Sequence, residues 1–118
     1  MADFEDAFRR DIVPFSGGWH KTAERVRRSI SGLTRGSPSF WIGIASQGEA
    51  GIRQRWNQKY RGLDMEYIAW VYRTESENFR RSMEEDLLEF YGGHVGNIHG
   101  GGGGRHGTPP FAVYVAWM

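Results

Sequence analysis

Apolar residues recur along this chain with two periods. Phe4, Phe8 and Ile12 fall every four residues and predict a short helix over 3–13, ended by Pro14. Trp19, Ala23, Val26, Ile30 and Leu33 alternate steps of four and three, which predicts a second helix over 19–33. Its other face carries Lys21, Arg25, Arg27 and Arg28. Phe40 to Ala45 is a short apolar run bounded by turn formers and reads as a strand. Ile52, Trp56 and Tyr60 mark one side of a helix over 50–61. The aromatic and β-branched run from Met65 to Tyr72 predicts a second strand. Thr74, with Glu77 three residues on, has the pattern of a capping box for a helix reaching about Tyr91. The expected buried stripe of that helix is Phe79, Met83, Leu87 and Phe90. The glycine-rich stretch 92–107 is not regular structure throughout, and Phe111 to Trp117, after Pro109-Pro110, is a third strand.

This order of elements predicts an α+β fold: a small antiparallel or mixed three-stranded sheet flanked by helices, with two N-terminal helices. Residues 1–36 form the N-terminal helical segment and 37–118 the main domain, the two making one compact unit. A chain of 118 residues supports one such core. Five Trp, seven Phe and five Tyr concentrate its burial in large rings. Fifteen basic residues against fourteen acidic ones give no overall nucleic-acid signature, so any basic patch must come from local clustering. The absence of cysteine excludes disulfides and thiolate metal sites. No apolar run approaches the roughly 20 residues that cross a bilayer. The acidic, Phe-containing start is unlike a signal peptide, and the expected location is cytoplasmic.

Four positions carry candidate chemistry. Arg55 shares a helix face with Lys59, and a guanidinium there suits bidentate contact with phosphate oxygens; a solvated helix face is the alternative. Glu84 sits at the margin of an apolar face, where one carboxylate plus waters and substrate oxygens suffices for Mg²⁺; pairing with Arg80 or Arg81 is the alternative. Asn97 either ties the following glycine-rich loop or is an ordinary turn residue. Gly100 to Gly104 followed by Arg105 suits close approach to a polyanion, or a flexible linker, and lacks the ending of a nucleotide-binding P-loop. His94, His99 and His106 fit no metal-ligand spacing.

In order, these residues resemble the GIY-YIG nuclease family over about 40–104. Trp41-Ile42-Gly43 stands where that family has its Tyr-Ile-Gly strand. Ile52-Arg53-Gln54-Arg55 looks like its first helix, with Arg55 on the arginine and Lys59 where histidine is frequent. Met83-Glu84-Glu85 resembles the helix bearing the metal-binding glutamate, and Asn97 before glycines resembles the closing asparagine. Trp41 departs from the family by lacking a hydroxyl, and no Gly-Ile-Tyr strand lies upstream. Ala112-Val113-Tyr114-Val115 reads like that strand moved to the C terminus, a circular permutation that pairs it beside 40–45 and puts Tyr114 in the first tyrosine's place.

The resemblance implies a metal-dependent endonuclease acting on DNA. Glu84 would hold one Mg²⁺ or Mn²⁺, Arg55 would stabilise transition-state charge, and Asn97 would organise the loop. Tyr114 would serve as general base or relay, its pKa lowered from about 10 by nearby cations. Lys21, Arg25, Arg28, Lys59 and Arg105 are the candidate nucleic-acid contacts. A domain this small would be unselective, dimeric or recruited by a protein partner. Two other readings stand beside it: a module that grips nucleic acid without cutting, and a protein-interaction module docking through the Phe4/Phe8/Ile12 stripe.

Overall fold

The computed structural model describes residues 2–92 and 107–118. Its elements, in chain order, are α1 (Phe4–Ala7), β1 (Phe15–Ser16), α2 (Trp19–Leu33), β2 (Phe40–Ala45), α3 (Gly48–Arg55), β3 (Tyr67–Thr74), α4 (Glu77–Tyr91) and β4 (Phe111–Trp117). The fold is α+β, with a mixed sheet between helices on both faces. The sheet has four strands where the sequence predicts three, in the order β1-β3-β4-β2. β4 lies in the middle, antiparallel to β2 on one side and to β3 on the other.

The extra strand comes from the first segment. The four-residue spacing over 3–13 predicts a helix, yet only one turn forms. Beyond Ala7 the chain runs extended along β3: Phe8 bridges Ile68, the Arg9 N–H donates to the Ile68 carbonyl at 2.9 Å, and Phe15–Ser16 pairs parallel with Tyr72–Arg73. The backbone groups on the outer edge of β3 need partners, and this segment supplies some of them. Phe4 and Phe8 still reach the core, with rings stacked at 4.9 Å. Phe4 is buried and Phe8 and Ile12 half-buried, so the stripe proposed as a docking face is consumed by the chain's own packing.

β4 shows how the two faces are built. Val113, Val115 and Trp117 point to one face, where α2 and α4 cover them with Ala23, Val26, Ile30, Met83, Leu87 and Tyr91. Ala112, Tyr114 and Ala116 point to the other, beneath Ile52, Trp56 and Tyr60. Residues 1–36 therefore contribute β1 and α2 to the same sheet and core as the rest of the chain.

Two helices depart from expectation in ways that matter for the site. α3 passes into a π-helical turn, Trp56–Tyr60, and a short 3-10 turn, Arg61–Leu63. In an α-helix each four-residue step overshoots a full turn by about 40°. The wider π turn takes up that drift, so Ile52, Trp56 and Tyr60 are all fully buried. α4 starts two residues later than Thr74 suggests. Ser76 is its cap, accepting from the Phe79 N–H at 3.2 Å, while Thr74 Oγ1 accepts from the Ser76 N–H at 3.0 Å. The buried stripe of α4 is Arg80, Met83, Glu84, Leu87 and Tyr91. Phe79 and Phe90 lie about a quarter turn from its centre and remain 39% and 58% exposed.

An exposed charge network fastens the N-terminal segment to α3. Arg10 binds Glu5 and Glu49, each at 2.9 Å, and Arg53 also meets Glu5. The hydrogen bond from Arg10, then that from Arg53, holds the Glu5 carboxyl below its ordinary pKa. Its stabilising effect is present above the unfolded-state pKa of about 4.3 and is lost as pH falls through the lower folded value. The protection factor of the Arg9 N–H, its hydrogen exchange corrected for the intrinsic pH dependence, is expected to fall over that acid range before the core opens. Exchange that rises only with global unfolding would show that the network does not fasten this segment.

Candidate functional site

β2 forms the edge of the sheet opposite β1, and the candidate chemistry gathers along it. Gly43 of β2 sits opposite Tyr114 of β4. A Cβ on Gly43 would lie 2.5 Å from the Tyr114 ring carbon Cζ and closer still to its hydroxyl. The bare Cα therefore makes the seat in which the phenol lies, and the small neighbours Ala112 and Ala116 leave the ring room on that face. The Tyr114 hydroxyl hydrogen-bonds that of Tyr60 at 2.9 Å, with the rings edge to face at 5.6 Å. Trp41 continues the aromatic series, 6.3 Å from Tyr60, and Lys59 Nζ lies 4.4 Å from the Trp41 ring centroid.

Replacing Gly43 by Ala is expected to destabilise the protein by about 1–3 kcal/mol through overpacking. Urea unfolding measures it. Combined with Tyr114→Ala, the change should cost less than the two single losses added together. A Gly43→Ala chain as stable as the parent would mean the ring does not occupy this seat.

Arg55 ends α3, half-buried, with no ion-pair partner among the described residues. Its charge acts on Tyr114, Lys59 and Arg80 alike, so the guanidinium lies within electrostatic reach of all three. Glu84 projects from the buried stripe of α4, which packs against β2, and its carboxylate acts on both Tyr114 and Arg80. Arg80 is 1% exposed. Its guanidinium lies 4.5 Å over the Phe111 ring and 3.4 Å from both the Ala45 carbonyl and Ser46 Oγ. Burial lowers its pKa, and the carboxylates of Glu77 and Glu84 oppose that shift. Arg55 and Glu84, from two other elements, thus lie within electrostatic reach of Tyr114, whose ring is on the α3 face of the sheet while Glu84 comes from α4 on the other.

The protonation states differ from the sequence expectation in one respect. Cations were expected to lower the Tyr114 pKa, but it is raised well above the ordinary phenol value. Burial is the largest cause, Tyr60 and Glu84 add to it, and Arg55 only partly offsets it. Lys59 is shifted down, first by burial and then by Arg55.

Other expected contacts do not join this cluster. Lys21, Arg25 and Arg28 are exposed on α2, which packs on α4, β1 and β3, toward the far side of the sheet from β2. Arg28 is paired with Glu24 at 2.7 Å. Asn97 and Arg105, with His94, His99 and His106, lie outside the described residues. Of the other tyrosines, Tyr67 packs on Trp117, and Tyr72 donates to the Gly17 carbonyl. Sequence reasoning named Arg80 only as a pairing partner for Glu84 and Tyr60 only as a substitute for Tyr114, not as parts of this cluster. The available signals were Arg80 four residues before Glu84, and Tyr60 four residues after Trp56.

Whether a divalent ion fits can be judged from the donors. Among the described residues, no three of His, Cys, Asp and Glu group together as a metal cage. Glu84 offers one carboxylate in the sheet-edge cluster. Mg²⁺ keeps several waters and takes one or two carboxylates with substrate phosphates, so this donor set fits an ion bound jointly with substrate. No helix among the described residues is long and apolar enough to cross a membrane. Compared with family models, curated proteins and solved structures, the chain matches none.

Proposed function

We propose that the β2 edge is the active site of a GIY-YIG-like endonuclease that hydrolyses DNA phosphodiesters with one Mg²⁺ or Mn²⁺. The observation that carries this reading is the seating of Tyr114 over Gly43, with Arg55 and Glu84 in electrostatic reach of its hydroxyl. A strand moved to the C terminus would need that pairing, and β4 lies antiparallel to β2 with Tyr114 opposite Gly43. Arg55 is placed to hold non-bridging phosphate oxygens and the charge that grows on them. Lys59, braced over Trp41, adds a second cation on the same helix face. Glu84 would hold the divalent ion, which supplies Lewis-acid polarisation of the phosphate when bound. Tyr114 is neutral at pH 7 and acts through its hydrogen bond with Tyr60, as a relay rather than a resident phenolate. Arg80 holds the end of β2 through the Ala45 carbonyl and Ser46, and so positions Glu84 one turn along α4. The test is nicking of supercoiled plasmid with Mg²⁺ or Mn²⁺ by the parent chain, Arg55→Ala and Glu84→Ala. Nicking that both substitutions leave intact rules out this site.

A second reading, a module that grips nucleic acid without cutting it, is favoured by the complete burial of the Tyr114 phenol and by the missing hydroxyl at Trp41. It predicts DNA affinity that falls steeply with salt and is indifferent to chelators. The expected location, with either reading, is cytoplasmic, and a homodimer or a recruiting protein would supply selectivity.

A further inference from the structure

Lysine is rare in this chain. Of its fifteen basic residues thirteen are arginine, and the two lysines are Lys21 and Lys59. Lys21 is exposed on α2. Lys59 is half-buried in the π turn that follows α3, four residues beyond Arg55. Its Nζ lies 4.4 Å from the centre of the Trp41 ring and 5.4 Å from that of Tyr60. Most of the arginines lie in ion pairs. Lys59 has no ion-pair partner among the described residues, and the charge that acts on it is the like charge of Arg55. β2 sets the uncharged Trp41 against it, and its own turn sets the phenol of Tyr60, which is bonded to Tyr114 of β4.

Hydrolysis at the β2 edge needs a group that finally keeps a proton. Arg55 does not give up its own at any working pH. Trp41 has a donor and no acceptor. Glu84 is assigned to the ion, and burial holds the proton on Tyr114. A relay through the two phenols passes a proton on without keeping it. Lys59 remains, on the helix face of Arg55 and within reach of solvent. Two influences free an amine of its proton, a poorly solvating surround and a neighbouring cation. Both act here, burial first and Arg55 second, and both lower the Lys59 pKa.

We infer, on the reading of the β2 edge as a hydrolytic site, that Lys59 is the general base that takes the proton of the attacking water. The water oxygen bonds to phosphorus, the bond from phosphorus to the leaving sugar oxygen breaks, and that oxygen takes a proton from solvent. The proton held on Nζ makes an ammonium beside Arg55 as charge grows on the phosphate, and it returns to solvent afterwards. An arginine at this position would supply the charge and could not supply the base. That difference accounts for a lysine here in a chain that otherwise relies on arginine.

The test has two arms. In the chain without DNA, side-chain nitrogen NMR follows the titration of the two lysines, and Lys59 is expected to lose its proton at lower pH than Lys21. In plasmid nicking, the parental rate is expected to rise about tenfold per pH unit from neutral and to level off below the ordinary lysine value of about 10.4. Lys59→Arg should lower the rate about a hundredfold or more and remove that rise. Its oligonucleotide affinity, measured by fluorescence anisotropy in a chelator, should stay parental because the charge is kept. Lys59→His should recover part of the rate and level off near pH 6.5 or so. Thermal melts show that both variants are folded. Lys59 titrating with or above Lys21 overturns the inference. So does a Lys59→Arg chain with the parental rate and pH profile; either result leaves the hydrolysis reading standing. A rate loss matched by an equal loss of affinity makes Lys59 a phosphate contact and overturns its role as base. A parent that nicks no plasmid at any pH removes the hydrolysis reading and the base together.

Discussion

Arg55→Ala is expected to lower the rate of plasmid nicking about a hundred- to a thousandfold with the fold intact. That is the size of effect seen when one preorganised group facing developing charge is removed from a water-poor site. Arg55 is half-buried, lacks an ion-pair partner among the described residues, and lies within electrostatic reach of Tyr114 and Arg80. Its charge is therefore not already spent on a carboxylate. Arg55→Lys should recover little, because an ammonium cannot reproduce a bidentate contact with phosphate. Glu84→Gln keeps the shape and removes the negative charge, so it should abolish Mg²⁺-dependent nicking at any practical ion concentration. Thermal melts separate these losses from unfolding. Arg55→Ala at parental rate would leave the guanidinium a bystander. The pH profile adds an independent check: because burial raises the Tyr114 pKa, no rate increase from phenol ionisation should appear between neutral pH and about 10.

The largest expected effect on stability is at Arg80. Removing one partner of a buried charge pair costs about 3–5 kcal/mol, because the other charge stays behind in a poor solvent. Arg80 is 1% exposed, its guanidinium lies 3.8 Å from the Glu77 carboxylate, and Glu77 and then the buried Glu84 favour its charge. Arg80 also covers the Phe111 ring and reaches the Ala45 carbonyl, so Arg80→Ala removes packing as well as charge. Urea unfolding should show the full loss for Arg80→Ala. Arg80→Met with Glu84→Leu should recover most of it, since apolar residues of similar volume replace buried ion pairs at little cost. That double variant should be stable and unable to nick DNA, which separates the stability role of the pair from the role of Glu84 in the site. A near-parental Arg80→Ala chain would place the guanidinium in water.

These two charges also show how far the sequence could be read. α2 was legible to the residue, because five apolar positions at steps of three and four define one face. β2 and β4 were legible because short apolar runs were set off by turn-forming residues. α4 was read with the right end, a start two residues too early and the wrong face. Phe79 and Phe90 are more hydrophobic than Arg80 and Glu84, and hydrophobicity alone places them inside. The sheet reverses that choice, since Ala45, Ser46 and Phe111 offer the Arg80 guanidinium a carbonyl, a hydroxyl and a ring.

The order of residue types along the chain determined the α+β class and the position of each long element, while the shortlist Arg55, Glu84 and Tyr114 came from the family resemblance. Period and turn chemistry are local, and they survive any packing. The pairing of β4 beside β2, the seat that Gly43 makes for a phenol seventy-one positions away in sequence (114 − 43), and the π turn that brings Tyr60 to meet it were decided only in three dimensions. So was the fate of the first segment, where an unsatisfied strand edge outweighed a helical spacing. Such contacts depend on which surfaces are left uncovered once the sheet has formed, and that is a property of the whole fold.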